Sequence, residues 1–589
     1  MIKMKQQNLK QLFVFLLLFL PVMAFSQSNA DSLKQKHSES VTIYGTSRPV
    51  IRQAFKINSK PQLLVFKTQP TNVLFNLSEN AFPTIIQLKA IKPASIHIGG
   101  REKIWGNFLK LGIGSRISPY AEFFHSAGKE NSYQFNVHLK HFSSFKNLKN
   151  YLPSPYSHSL AELSFDKYFR YHILSFAASY DLRTNRYYGH NTALDTLVLN
   201  KKDTLLRQTY QKATVAIDFS SIYKNFDKLH QSISLGSTYF IDRYGTSEWL
   251  ARLGLDVHKA FRVSNIFDHQ QLGLEGGYKY YKNQTKYNSE VDHFARIMPY
   301  FDARYGLLSF KTGINLEWLK QSQGVLHFYP YLSFKVTLLP QSLSFFGGWN
   351  GGLEKNSRVK LTEENPFLNS FQNNYQWQNT RWKFYAGLQG NIAKRLGFEF
   401  RASRSSFRNM ALFDYPYLLW LAMPTFYPTA YEAYYLPYKN EFSIIYTNGK
   451  VWDFSGSLSW SNSTTLKLWL KGAYHQYQLD YGQKPYYKPL QSVSLGASFR
   501  VNDKIKPWFE VYYEGKRWAR SPSYFIGNLN GNVYQMEPYV DINLGLDYQL
   551  NKQSYVFGKI TNLLNKHYYR FNEYPVMGFE VMLGVSYRF

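Results

Sequence analysis

Apolar and polar residues alternate one for one through most of this chain. Between Ser132 and His141, Phe135, Val137 and Leu139 alternate with Gln134, Asn136, His138 and Lys140. Successive side chains of a strand point to opposite faces, so this stretch predicts a strand with one apolar and one polar face. The pattern returns in Val215, Ile217 and Phe219 against Ala216, Asp218 and Ser220, and again in Ile233, Leu235 and Tyr239. Further examples are Leu272, Leu274 and Tyr278, then Phe310, Ile314 and Trp318, then Val493, Leu495 and Phe499. A soluble sandwich could not use so many long strands without dividing into domains, and no linker or shift of composition marks a division. The pattern therefore predicts an all-β fold, a transmembrane antiparallel β-barrel with one face of each strand in lipid and the other on a polar lumen. The runs number 22 or 23. Bacterial single-chain barrels carry even strand numbers, so about 22 strands are expected, within a range of 16 to 24. Counting from the two ends leaves a mismatch of one strand between Tyr434 and Asp480: 355–377 and 410–433 fall outside the cell in one count, 517–537 and 564–576 in the other.

Composition narrows the class further. Of the 589 residues 18% are aromatic and only 18% charged, against roughly 25% charged in ordinary globular domains. Membrane helices need runs of about 20 apolar residues, and beyond the N-terminus the longest apolar run is Leu418 to Met423. Aromatics without such runs suit the interfacial girdles of a barrel. With no cysteine, the chain has no disulfide, thiolate metal site or lipidated N-terminal Cys. The net charge is +30, and three of these charges, Lys3, Lys5 and Lys10, belong to the N-terminal segment. The remaining basic residues are scattered among Tyr, Ser and Asn, with no basic helix or dense block, so no nucleic-acid partner is expected. The surplus suits contact with anionic lipid headgroups.

Three segments follow. Residues 1–26 read as a signal peptide, with a basic start, an apolar core from Leu12 to Leu20 and a small-x-small site at Ala24-Phe25-Ser26, so cleavage is expected between Ser26 and Gln27. Residues 27–100 hold Pro49, Pro61, Pro70, Pro83 and Pro93 among short apolar pieces, which predicts an extended periplasmic or luminal segment. Residues 101–589 form the barrel. Export combined with a barrel places the protein in the outer membrane of a Gram-negative cell.

Candidate chemistry is sparse. No G-x-S-x-G, Walker A, H-E-x-x-H or EF-hand pattern occurs, and no spacing singles out a catalytic triplet, so neither enzyme activity nor a cofactor is expected. The His residues are dispersed. His138 shares its polar face with Lys140, which would repel a divalent cation, and no metal site is expected. Glu363-Glu364 reads as a solvated loop pair rather than an acid/base dyad. Phe413 to Tyr438 is dense in Tyr, Phe and Pro, and reads either as an aromatic loop at the membrane interface or as a binding surface for a glycan, an apolar ligand or a protein.

Met577 to Phe589 places Val581, Leu583, Val585, Tyr587 and Phe589 on one face and Glu580, Gly584, Ser586 and Arg588 on the other. Together with the block Ile560-Thr561-Asn562-Leu563-Leu564-Asn565-Lys566-His567-Tyr568-Tyr569 and the strand Tyr539 to Tyr548, it resembles the end of TonB-dependent receptors. Val41-Thr42-Ile43-Tyr44-Gly45-Thr46-Ser47-Arg48 is similar to the entry of their plug. Lys92-Pro93-Ala94-Ser95 leading to Trp105-Gly106-Asn107, and Gly351-Gly352-Leu353-Glu354-Lys355-Asn356-Ser357 leading to Glu364-Asn365-Pro366-Phe367, resemble a compact Bacteroidetes family of receptor-like barrels. The resemblance implies a receptor-like barrel for transport or uptake of a substrate, with outer-membrane lipid and the barrel-assembly machinery as partners and Tyr587 and Phe589 in the assembly signal. A full plug of that family takes well over a hundred residues, and 74 lie here between the signal peptide and the barrel. The plug region is therefore truncated, and coupling to TonB is left open. The alternative is a non-conducting scaffold for other envelope proteins. No ligand-binding residue carries over, because receptor ligands are read by variable loops.

Overall fold

The computed structural model describes residues 105–589 apart from 130–131, 190–205, 226, 262–264, 287, 371, 373–374, 393–394, 415–440, 463–464 and 521–532. The signal peptide with its Ser26–Gln27 site, the segment 27–100 and the aromatic stretch 415–440 lie outside the described residues.

Twenty-two strands form one closed antiparallel sheet, each paired with its neighbours in chain order. The ring closes where the first strand, Asn107–Gly114, pairs with the last, Glu580–Arg588, from Phe108 against Arg588 to Gly114 against Met582. Beyond that ladder Asn107 and Phe589 exchange backbone hydrogen bonds of 3.0 and 3.1 Å, and the Asn107 amide donates to Phe589 O at 3.1 Å. Closure satisfies every strand edge within the sheet, as a lipid environment demands. No described helix is long and apolar enough to cross a membrane.

The faces follow the alternation. Leu139, Val215, Ile217, Ile233, Leu235, Leu272, Leu274, Ile314, Val493 and Leu495 are all exposed on the outer surface, where water would penalise each of them and lipid does not. Residues of the other parity pair with one another inside. His138 lies between Glu122 at 3.0 Å and Glu162 at 2.8 Å, so both its ring nitrogens are engaged. Glu275 bridges Lys311 at 2.5 Å and Arg296 at 3.3 Å. An apolar belt around a polar lumen is the arrangement of an outer-membrane barrel, and the protein is one.

The expected parity mismatch is absent. Between Tyr434 and Asp480 the described chain forms one strand of 20 residues, Ser443–Asn462, and its return, Leu466–Leu479, so all the long loops open at one end. Asn448-Gly449 by itself signals a hairpin turn, yet the strand runs straight through it. The neighbouring strand Leu396–Asp414 absorbs the irregularity as a register shift between Phe407 and Met410, with Asn409 at φ 58°. Gly449 is required by close approach: a Cβ there would lie 2.3 Å from Gln478 O. The short connections, such as 306–307, 340–342 and 550–553, share one end with Asn107 and Phe589. The long connections 356–376, 415–442, 480–490, 515–538 and 562–579 share the other. In outer-membrane barrels the short turns are periplasmic and the long loops extracellular.

Candidate functional site

The 356–376 loop begins where the strand Leu343–Lys355 leaves the wall. A register shift between Asn350 and Gly352 precedes it, and Gly351 has no room for a side chain there, with Tyr329 Cδ1 2.6 Å and Thr380 O 2.8 Å from the position of a Cβ. Ser357 caps a seven-residue helix, Arg358–Glu364 (α1), by accepting from the Lys360 N–H at 3.2 Å. Asn365 ends it, donating to Leu361 O at 2.8 Å, because Pro366 can neither donate nor tolerate a helical residue before it.

Two buried cations pin this loop to the wall. Arg358 is 1% exposed. Its guanidinium donates to Ser370 O at 2.9 Å and Gln372 O at 2.8 Å, lies 3.3 Å from the Asp242 carboxylate and sits 5.1 Å from the Tyr375 ring. The Arg358 N–H donates to Glu248 Oε2 at 2.7 Å. Lys355, also buried, pairs with Asp292 and donates to Tyr375 O at 2.6 Å. Trp377 Nε1 donates to the same Asp292 oxygen at 2.9 Å. Removing one partner from such a buried pair costs about 3–5 kcal/mol, because the other charge is stranded.

Beyond the pins an apolar core forms that no strand pattern foretells. Leu361, Phe367, Leu368 and Tyr375 from this loop join Tyr187, Phe413, Phe442, Tyr487, Trp518, Phe571 and Tyr574 in one buried cluster. Phe367 stacks on Tyr574 with centroids 3.5 Å apart and planes at 14°. Tyr187 donates its hydroxyl to Leu368 O at 3.1 Å, and Tyr188 to Pro575 O at 2.9 Å. Burial pushes the Tyr187 and Tyr574 hydroxyls well above their ordinary pKa, so both stay protonated. Arg517 donates to Arg570 O at 2.8 Å and Tyr569 O at 2.6 Å, and Arg520 pairs with Asp414 at 2.9 Å.

The roots of these loops decide what the cluster is. Tyr187 follows the fifth strand, α1 the thirteenth, and Phe571 and Tyr574 lie between the last two of 22. Loops rooted so far apart around a ring can touch only across its mouth or just inside it. The loops therefore make a cap across the extracellular end of the barrel.

Of the residues singled out by sequence, Phe413 lies in the cap core. Glu363 and Glu364 stand at its rim, each held by a lysine from elsewhere: Lys212 at 2.6 Å and Lys488 at 2.5 Å. They bind the cap to the wall and to another loop rather than standing free in solvent. Tyr587 and Phe589 are exposed on the outer face at the opposite end, stacked 5.4 Å apart. The Gly351 to Phe367 block is the frame of the cap. The motif named Lys355 but not its role as a buried pin, and it did not name Arg358, Asp242 or Asp292; the one available signal was a run of cations and amides inside that block, too polar for the loop it builds. Among the described residues no group of three or more His, Asp or Glu could hold a metal ion.

No family model matches the chain, and no curated protein matches it by sequence. Solved structures do. The ferripyoverdine receptor of the Pseudomonas aeruginosa outer membrane, bound to ferripyoverdine, superimposes with a TM-score of 0.58 at 12% identity over 82% of this chain and 72% of that one. The ferric-catecholate import receptor Fiu of Escherichia coli K12, in its closed form, gives 0.58 at 10% over 82% of each chain. The FrpB iron transporter of Neisseria meningitidis gives 0.59 at 10%, over 83% of this chain and 82% of that one. The likeness is one of fold: this chain shares the 22-stranded barrel of these proteins.

Proposed function

We propose that this protein is a receptor-like importer in which the loop cap closes the barrel's extracellular mouth and opens to admit a substrate too large or too scarce for free diffusion. The cap is the observation that carries the reading, because a passive pore gains nothing from loops packed over its entrance. The receptors and the transporter of like fold act on iron complexes or iron, and an iron chelate is the substrate class to test first.

Planar-bilayer conductance tests the reading. The native chain should be almost silent, and Arg358→Ala should produce openings. If neither conducts and envelope proteins copurify stably with both, the scaffold reading replaces import. TonB coupling is a separate part of the proposal: if deletion of residues 31–48 leaves uptake unchanged in cells that need the barrel, coupling should be abandoned. Secretion with cleavage after Ser26, a short 27–100 segment in place of a full plug, and assembly through Tyr587 and Phe589 belong to the same proposal. Deleting Phe589 should lower the inserted amount while the inserted protein keeps its heat stability. Full insertion with lowered heat stability would leave Phe589 only a burial role.

A further inference from the structure

Tyr239, Trp249 and Lys282 stand in one register row across three adjacent strands, His230–Asp242, Ser247–Ala260 and His269–Gln284. They share the outward parity of the exposed Leu235, Leu253 and Leu274. One row nearer the long loops, Ser247 faces Gln284. These five residues line an open groove of about 240 Å³ on the outside of the barrel. It exists because the row beneath places Ser237 against Ala251, both too small to fill the space beside an indole. Trp249 is fixed over that gap: its Nε1 donates to Ser237 Oγ at 2.9 Å, and its ring meets Tyr280 edge-on at 5.5 Å.

Lys282 is the unusual member. It has no hydrogen-bond or ion-pair partner among the described residues, and its row neighbour on the next strand is the apolar Val291. An ammonium at the upper edge of an apolar belt, in a groove that two aromatic residues also line, attracts an anion. The Ser247 hydroxyl and Gln284 amide border it and can donate to the same anion. Lys282 lies two residues from the extracellular end of its strand, with the exposed Leu235, Leu253 and Leu274 of the belt below it. The groove lies on the outward face of the wall, not in the lumen or the cap.

We propose that this groove is a binding site for the phosphate of an outer-leaflet glycolipid, with Lys282 as the charge partner, Ser247 and Gln284 as donors, and Tyr239 and Trp249 against the sugar and the first methylenes. The site is independent of any transport role.

The test is native mass spectrometry of the full protein in a neutral detergent, titrated with monophosphoryl lipid A, with its dephosphorylated counterpart, and with inorganic phosphate as competitor. The native protein should prefer the phosphorylated lipid by at least about five-fold, the scale of one basic residue at a membrane surface. Lys282→Gln should abolish that preference, Lys282→Arg should retain it, and Lys320→Gln, on a nearby strand outside the groove, should leave it unchanged. Migration on unboiled gels verifies that each variant is folded. Equal binding of the two lipids by the native protein, or an undiminished preference in Lys282→Gln, overturns the site. Full displacement by millimolar inorganic phosphate would overturn the lipid as its source.

Discussion

On the wall, Leu235, Leu253 and Tyr278 stand side by side on successive strands, touching only their neighbours and facing lipid. In the cap, Tyr187 bonds Leu368, 181 residues further along the chain, and Phe367 lies on Tyr574. The wall is a sum of nearest-neighbour ladders, each strand held by two others, and its outer side chains contribute by partitioning into the bilayer. The cap is one packed cluster whose members come from the loops and the strand ends beneath them, and the only ladders within its loops are the short hairpins Arg517–Arg520 with Val533–Met536 and Tyr569–Phe571 with Tyr574–Pro575 among the described residues. Damage to the wall should therefore be local and graded with depth in the membrane, whereas damage to the cap should release several loops together.

Arg358→Ala should break this contrast most sharply. It strands the Asp242 carboxylate and leaves Ser370 O, Gln372 O and the stacked Tyr375 ring without their partner, at a cost of about 3–5 kcal/mol. The expected result is protease cleavage within 356–376 and 562–579 on intact cells, while the barrel keeps its slow migration on unboiled gels. Cleavage confined to the first loop would show that the loops do not fold as one unit.

Leu253→Arg attacks the wall instead. A cation on the lipid face near mid-strand costs about 2–4 kcal/mol, and the outcome should be reduced insertion with a protease-resistant cap in whatever does insert. A loosened cap in that variant would mean that wall and cap are energetically coupled.

Tyr187→Phe sharpens the comparison at smaller scale. It removes the bond to Leu368 O but keeps the ring, so the cap should lose about 1–2 kcal/mol, seen as faster amide exchange in 356–376 with none in the wall. Lys212→Met removes an ion pair to the half-exposed Glu363 and should cost under about 1 kcal/mol. A larger effect would make that pair a principal latch of the cap.

These two regions were unequally legible in the sequence. The lipid face of each strand can be read because period-2 alternation is imposed locally, residue by residue, and Val215, Ile217, Leu272 and Val493 are exposed as that rule requires. Strand parity could not be read between Tyr434 and Asp480, a stretch that contains Asn448-Gly449, where local turn chemistry is overruled by pairing on both sides and by a compensating register shift in the partner strand. The cap left almost no local trace. Phe367 and Tyr574, or Arg358 and Asp242, are partners only once the ring has closed and brought their loops over one mouth, and nothing in the residues between them encodes that meeting. The Gly351 to Phe367 block could be noticed as a motif, but its role depends on carboxylates that other strands supply.

The central claim is that these loops close the extracellular mouth, and labelling from outside the cell tests it most directly. The chain has no cysteine, so Thr214→Cys, on the inner face two residues below the Lys212 that holds Glu363, creates a single thiol beneath the cap. A bulky polyethylene-glycol maleimide applied to intact cells should fail to label it, and should label it readily once Arg358→Ala is added. Equal labelling in both proteins would mean that the mouth is open and the account of the cap is wrong.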